Sequence, residues 1–167
     1  MIAILLNDAS FEQDIRELLM AFYPGETFTH KEEEAGEADL IVRGVRDGNS
    51  FSLDVTPVKK DAVHFALIYP DFSNRFETKN EIKQTLYRLL SAQTGRELPW
   101  GTLTGIRPTK IALTKLYDGW TDEQIETYMR ETYFTSKEKI DLSIDVAERE
   151  RRLLSTIDYE NGYSLYV

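Results

Sequence analysis

Up to Gly95 the apolar residues of this chain recur at two spacings, and from there to about residue 158 at only one of them. Alternation points successive side chains to opposite faces of a strand, whereas intervals of three and four line one face of a helix. A chain that mixes both periods and then keeps only the helical one is constrained to a sheet with packed helices, followed by helices alone. Its 167 residues allow one domain, or one domain with a small satellite.

The first period begins at once. Met1 to Leu6 is apolar and bounded by Asn7 and Asp8, which reads as a buried strand. Ser10 and Gln13 form a capping-box pattern, and Ile15, Leu18, Leu19 and Phe22 follow as one helical stripe stopped by Pro24-Gly25. Thr27 to Glu33 reads as an exposed extended strand. Asp39 to Arg46 forms a further strand leading into Asp47-Gly48, a hairpin turn signal. Phe51, Leu53 and Val55 alternate with polar residues, and Phe65, Leu67 and Tyr69 alternate again. These runs predict an antiparallel meander. A second helix is predicted over 78–94, with Ile82, Leu86, Leu89 and Leu90 on one stripe and Gly95 as its stop. The order β-α-β-β-β-β-α predicts an α+β unit with a small antiparallel sheet and two helices on one face.

After Gly95 come an irregular loop at Pro99-Trp100-Gly101, a helix opened by Pro108, a capping box at Thr121 and Gln124, and another at Thr135 and Glu138. Three successive helices predict an all-α satellite. Tyr163, Leu165 and Val167 alternate with Ser164 and Tyr166. That pattern reads either as a strand just begun or as an edge strand returning to the first unit. The expected division is an α+β unit over 1–95, a helical connecting unit over 96–158, and a strand start over 159–167.

Composition excludes several functions. The chain has no cysteine, so neither a disulfide nor a thiolate-held zinc or iron–sulfur cluster can form on it. No apolar run approaches the ~20 residues of a membrane span, and no leader pattern is legible; no membrane role and a cytoplasmic location are expected. A net charge of −9 opposes non-specific nucleic-acid binding. His30 and His64, the two histidines, lie far apart in sequence and give poor support to a zinc site or triad. Lys31 to Glu37 reads as a solvated acidic loop.

One segment resists a purely structural reading. In Leu98 to Lys110, two glycines, three threonines, Arg107 and Lys110 converge where Pro108 opens a helix. Such a terminus offers free N–H groups and the positive end of the helix dipole, which suit an anion. Thr104, Gly105, Arg107, Thr109 and Lys110 are the candidate carboxylate- or anion-binding residues, with Trp100 and Gly101 supporting. No catalytic residue and no metal ligand is assigned. The competing reading has Arg107 tying the satellite to the acidic first unit by ion pairs, with Trp100 plugging a core. Gly101 to Gly105 lacks the Gly-Lys-Ser/Thr ending of a phosphate-binding loop.

The same stretch, Pro99-Trp100-Gly101 through Thr104-Gly105-Ile106-Arg107-Pro108-Thr109-Lys110, closely resembles the segment that precedes the barrel in the oxygen-independent coproporphyrinogen oxidase-like (HemZ-type) radical S-adenosylmethionine family. Gly162 to Val167 resembles the first strand of that barrel. The resemblance is specific over residues 98–113 and 160–167 and weak over the first 95. In the family the strand runs into a Gly-Ile-Pro-Phe-Cys motif and a Cys-x3-Cys-x2-Cys loop. Three cysteines there hold a [4Fe–4S] cluster that binds S-adenosylmethionine. None of those ligands is present here, so no catalytic residue carries over and no cofactor is assigned to this chain; cluster and S-adenosylmethionine are implied only for a parent protein.

The resemblance therefore implies a non-catalytic accessory role beside a C-terminal radical S-adenosylmethionine barrel of the same polypeptide, in haem or porphyrin biosynthesis. Further partners it implies are an electron donor or a haem-pathway protein. The alternative from the residues alone is a free-standing module binding an anion or peptide through Gly105 to Lys110. An RNA-binding module using the nine tyrosines ranks third.

Overall fold

A computed structural model describes residues 1–58, 63–105 and 107–154 of the chain. β1 (Ile2–Leu6) is followed by α1 (Glu12–Phe22), β2 (Phe28–Thr29), β3 (Leu40–Asp47), β4 (Ser50–Pro57), β5 (His64–Ile68) and α2 (Arg75–Thr94). Then come α3 (Thr109–Tyr117), α4 (Asp122–Tyr133) and α5 (Lys137–Leu154). The α+β class and the three terminal helices are as expected.

The five strands lie in the order β2-β1-β3-β4-β5. β3, β4 and β5 form the antiparallel meander, while β1 runs parallel to both β2 and β3, so the sheet is mixed. The crossover through α1 accounts for the β1–β2 pair, and the 3-10 segment Glu32–Glu37 carries the chain from β2 to β3 on the other side of β1. A strand that leaves through a helix and returns to the same sheet comes back parallel. The hairpin loop is Gly48-Asn49, one residue later than the turn signal, because Asp47 still pairs with Ser50. Gly48 alone takes a positive φ there (56°), as the first central residue of a II′ turn does.

Both long helices pack on one sheet face. Ile15, Leu18, Leu19 and Phe22 meet Ile82, Leu86 and Leu90 over Ile4, Val42, Phe51, Leu53 and Val55, all fully or almost fully buried. Each such side chain contributes roughly 1.5–3 kcal/mol by leaving water. A second cluster joins Leu113 and Leu116 of α3, Ile125 and Met129 of α4, and Ile140, Ile144 and Ala147 of α5.

Three local expectations are corrected. Asp8, not Ser10, opens the first helical segment, accepting from the Ser10 N–H at 3.0 Å, while Gln13 turns to Glu17. The strand predicted over 27–33 is reduced to Phe28–Thr29, and the chain then turns into a 3-10 segment, Glu32–Glu37. Glu32 grips Arg43 with both oxygens, and Ala35 and Ala38 cover Ala3 and Leu5 on the second sheet face. Thr135 does not cap α5; its hydroxyl donates to the Trp100 carbonyl at 3.5 Å. The predicted strand over 159–167 lies outside the described residues.

Candidate functional site

The loop from Leu98 to Pro108 is strapped between the two cores by backbone hydrogen bonds. Leu98 N–H donates to the Tyr87 hydroxyl of α2 (2.9 Å), Thr102 N–H to the Tyr133 carbonyl (2.7 Å), and Ser136 N–H to the Pro99 carbonyl (2.9 Å). The strapping brings Gly101 onto the backbone at the end of α4. Its φ is +57°, and a Cβ there would lie 1.9 Å from the Tyr133 oxygen. Only glycine meets both demands. This is the structural content of the Trp100-Gly101 pair, which the sequence marked as supporting.

Thr104 is the hub of the loop. Its hydroxyl donates to Glu17 Oε2 of α1 at 2.9 Å and accepts from Lys83 Nζ of α2 at 2.9 Å. One hydroxyl therefore joins α1, α2 and the loop. Gln13 holds the other Glu17 oxygen at 3.1 Å. Lys83 is buried, and that burial lowers the pKa of its ammonium, with Asp14 and Glu17 acting against the shift. Lys83 is the residue that sequence reasoning missed. It stands next to Ile82 of the apolar stripe, and nothing in the local pattern signals that a lysine there is buried. Its neighbour Gln84 donates to the Thr132 carbonyl (2.8 Å), a second tie between α2 and the helical part.

Beside this hub opens a cavity of about 580 Å³, lined by Trp100, Leu103, Thr104, Gly105 and Pro108 from the loop and Glu17, Met20 and Ala21 from α1. Four of the singled-out or adjoining loop residues, Trp100, Thr104, Gly105 and Pro108, thus meet in one place. The other candidates do not line it. Arg107 is exposed and paired with Glu150 of α5, so its ion pair lies within the helical part and not with the first unit. Thr109 begins α3 half-buried, Lys110 is exposed beside it, and Pro108 provides no side-chain cap. Ile106 lies outside the described residues. The cavity wall carries an apolar surface, the Glu17 carboxylate and the start of α3; Trp100 is half-buried in it and plugs no core. Such a lining suits a ligand with an apolar body and a polar end.

Several titratable groups away from the cavity are engaged in surface pairs. His30 pairs with Glu12 at 2.8 Å, and the acidic run engages Lys31, Thr29 and Arg43. No group of three or more metal-ligating side chains occurs among the described residues. A chain without cysteine cannot supply the thiolates of a [4Fe–4S] cluster, so the donor set does not fit that group.

Comparison with known proteins finds 36% identity over 90 residues with the oxygen-independent coproporphyrinogen-III oxidase-like protein HemZ of Bacillus subtilis (strain 168). This chain is similar to HemZ. The match covers 52% of the chain and 18% of HemZ, so the chain corresponds to less than a fifth of that relative's length. No protein-family model and no solved structure matches the chain. Similarity at this level supports a relation to HemZ-like oxidase proteins. No helix among the described residues is long and apolar enough to cross a membrane.

Proposed function

We propose that this chain is a non-catalytic accessory region of a radical S-adenosylmethionine oxidoreductase of the HemZ type, acting in porphyrin metabolism. The observation that carries the reading is the 36% identity to HemZ in a chain with no cysteine. Relatedness supports the oxidase-like family, and a chain without thiolates is what this reading expects of a region that leaves the cluster to another part of the protein. The cluster and S-adenosylmethionine would supply the radical chemistry there; this chain's residues would position and support.

The strapped loop fits that role. Thr104, Glu17 and Lys83 lock α1 and α2 to the loop, and Gly101 locks the loop to the α4–α5 junction. Arg107 and Lys110 then stand exposed at the start of α3, where they would meet a substrate carboxylate, an electron donor or a haem-pathway protein. In this reading the partner in the same polypeptide is a cluster-bearing barrel, and the protein works in the cytoplasm.

The reading frame beyond the codon for Val167 tests the proposal. Continuation into a Cys-x3-Cys-x2-Cys loop is the expected result. A stop codon there would overturn it and leave a free-standing module binding an anion or peptide through Gly105 to Lys110.

A further inference from the structure

A second cavity, of about 440 Å³, opens where α2 meets the end of α4, and it shares no lining residue with the one beside Thr104. Tyr87, Arg88 and Ser91 line it from one face of α2, Glu97 from the following loop, and Arg130 and Phe134 from the end of α4. One turn earlier on the same helix, Gln84 holds the Thr132 carbonyl at 2.8 Å, so the two walls are fixed against each other.

Three polar groups in this lining lack the partner their chemistry calls for. The Arg88 guanidinium lies 4.9 Å from the Phe134 ring centroid and pairs with no carboxylate among the described residues. Glu97 pairs with no cation among them. The Ser91 hydroxyl oxygen is shut from solvent without a hydrogen bond, and among the described residues it is the one buried side-chain polar atom in that state. A buried, unmatched hydroxyl is costly, and native structures hold few of them. Arg130 gives one nitrogen to Glu126 at 3.1 Å, which leaves the rest of its donor fork for a ligand.

The apolar wall is built at a cost too. The Phe134 and Tyr87 rings stand 5.5 Å apart. Phe134 closes α4 with φ +57°, the one non-glycine residue with a positive φ among those described. Glycine or asparagine would end the helix there with less strain. Backbone strain of this kind gathers at ligand clamps.

We propose that this cavity binds a small zwitterion of the α-amino acid class with an apolar side chain. Arg88 and Glu97 carry opposite charges in one cavity and form no ion pair with each other. A ligand with a single charge would match one and leave the other unmatched, whereas a zwitterion matches both. Its carboxylate meets Arg88 and Arg130, and its ammonium meets Glu97. Its side chain lies against Phe134 and Tyr87. A carboxylate oxygen at the cavity floor gives the Ser91 hydroxyl the acceptor it lacks. The volume is that of a small-molecule site. The inference does not depend on the radical-enzyme reading, since none of these residues belongs to the Gly105 to Lys110 segment.

Isothermal titration calorimetry of the 167-residue chain with L-phenylalanine and L-leucine is the test. Phenethylamine, which lacks the carboxylate, and hydrocinnamate, which lacks the ammonium, are the companion probes. The expected result is one saturable site for the amino acids, with each single-charge analogue at least about tenfold weaker. Arg88→Met should narrow the preference for L-phenylalanine over phenethylamine, and Glu97→Gln the preference over hydrocinnamate. Circular dichroism should be unchanged in both, because the two side chains are exposed. Arg149→Met removes the same charge from an exposed site on α5 and should leave affinity unchanged. Ser91→Ala should raise the Tm of the free chain while weakening binding, a combination that a merely structural serine would not give. Failure of both amino acids to bind at millimolar concentration would overturn the proposal. Equal affinity for all the probes, or binding indifferent to both Arg88→Met and Glu97→Gln, would overturn it as well.

Discussion

Gly101 carries a steric demand that no other residue can meet. At φ +57° a side chain is already disfavoured, and the space a Cβ needs is occupied by the Tyr133 carbonyl oxygen and the Phe134 backbone. Neither is a flexible side-chain end, so relief requires moving the loop or the α4 terminus. Gly101→Ala is expected to lower the unfolding free energy by at least about 3 kcal/mol, the range of strain combined with core disruption. Gly25→Ala is the control. It shares a positive φ of +87° but has nothing within 4 Å, so about 1 kcal/mol is expected. Urea denaturation of both variants checks the contrast, and equal losses would show that the close approach is not what fixes Gly101. Thr104 shows the opposite kind of economy. One hydroxyl donates once and accepts once, and so serves two partners from two helices.

At the scale of elements, local chemistry and packing agree at both ends of α2 and at the start of α4. α2 starts at Asn74, whose side chain accepts from Glu77 N–H at 3.2 Å, and stops at Gly95 with φ +68°. α4 carries the complete capping box: Thr121 accepts from Gln124 N–H (3.3 Å) and Gln124 accepts from Thr121 N–H (2.9 Å). Thr121→Ala removes one of these two bonds and should cost about 1 kcal/mol, read as a fall of roughly 2–4 °C in Tm for a chain of this size. An unchanged Tm would mean that packing of Ile125 and Met129 alone sets the helix start. Where a cap pattern fails, a competitor is visible. Ser10 yields to Asp8, and Thr135 is recruited by the Trp100 carbonyl. Both residues have the right side chain for a cap, but a better-placed acceptor or a tertiary partner takes the bond.

On the scale of the whole molecule, Lys83 stands out as a buried cation kept at the junction of α1, α2 and the loop. Burial penalises its charged form, so its pKa in the folded state lies below that in the unfolded chain. Between the two values the unfolded state binds more protons. The penalty is therefore present at neutral pH and is relieved as pH rises through the folded value toward about 10.4. Lys83→Met removes the desolvated ammonium while Thr104 keeps Glu17 as a partner, and should raise the unfolding free energy at pH 7. The same substitution should flatten the rise of stability with alkaline pH. Denaturation of both proteins at pH 7 and above pH 9 measures it, and a loss of stability in the variant at pH 7 would show instead that the Lys83–Thr104 bond holds the units together. A stabilised variant would identify Lys83 as a residue retained for something other than folding.

The elements that pattern and caps specify were legible in the sequence alone: the stripe from Ile15 to Phe22, the alternation of Phe51, Leu53 and Val55, the stop at Gly95 and the box at Thr121. Each is set by neighbours within one turn or one strand, where spacing translates directly into geometry. The sequence also determined that no thiolate chemistry takes place on this chain, since that depends on composition only. Tertiary structure decided the rest. Parallel addition of β1, burial of Lys83, the pairing of Arg107 with Glu150, and the exposed side of β5 all join residues far apart in the chain. Period alone shows that Phe65 and Leu67 share a face. Which face the protein covers depends on where distant segments pack, and that is set by the sum of many contacts across the whole fold.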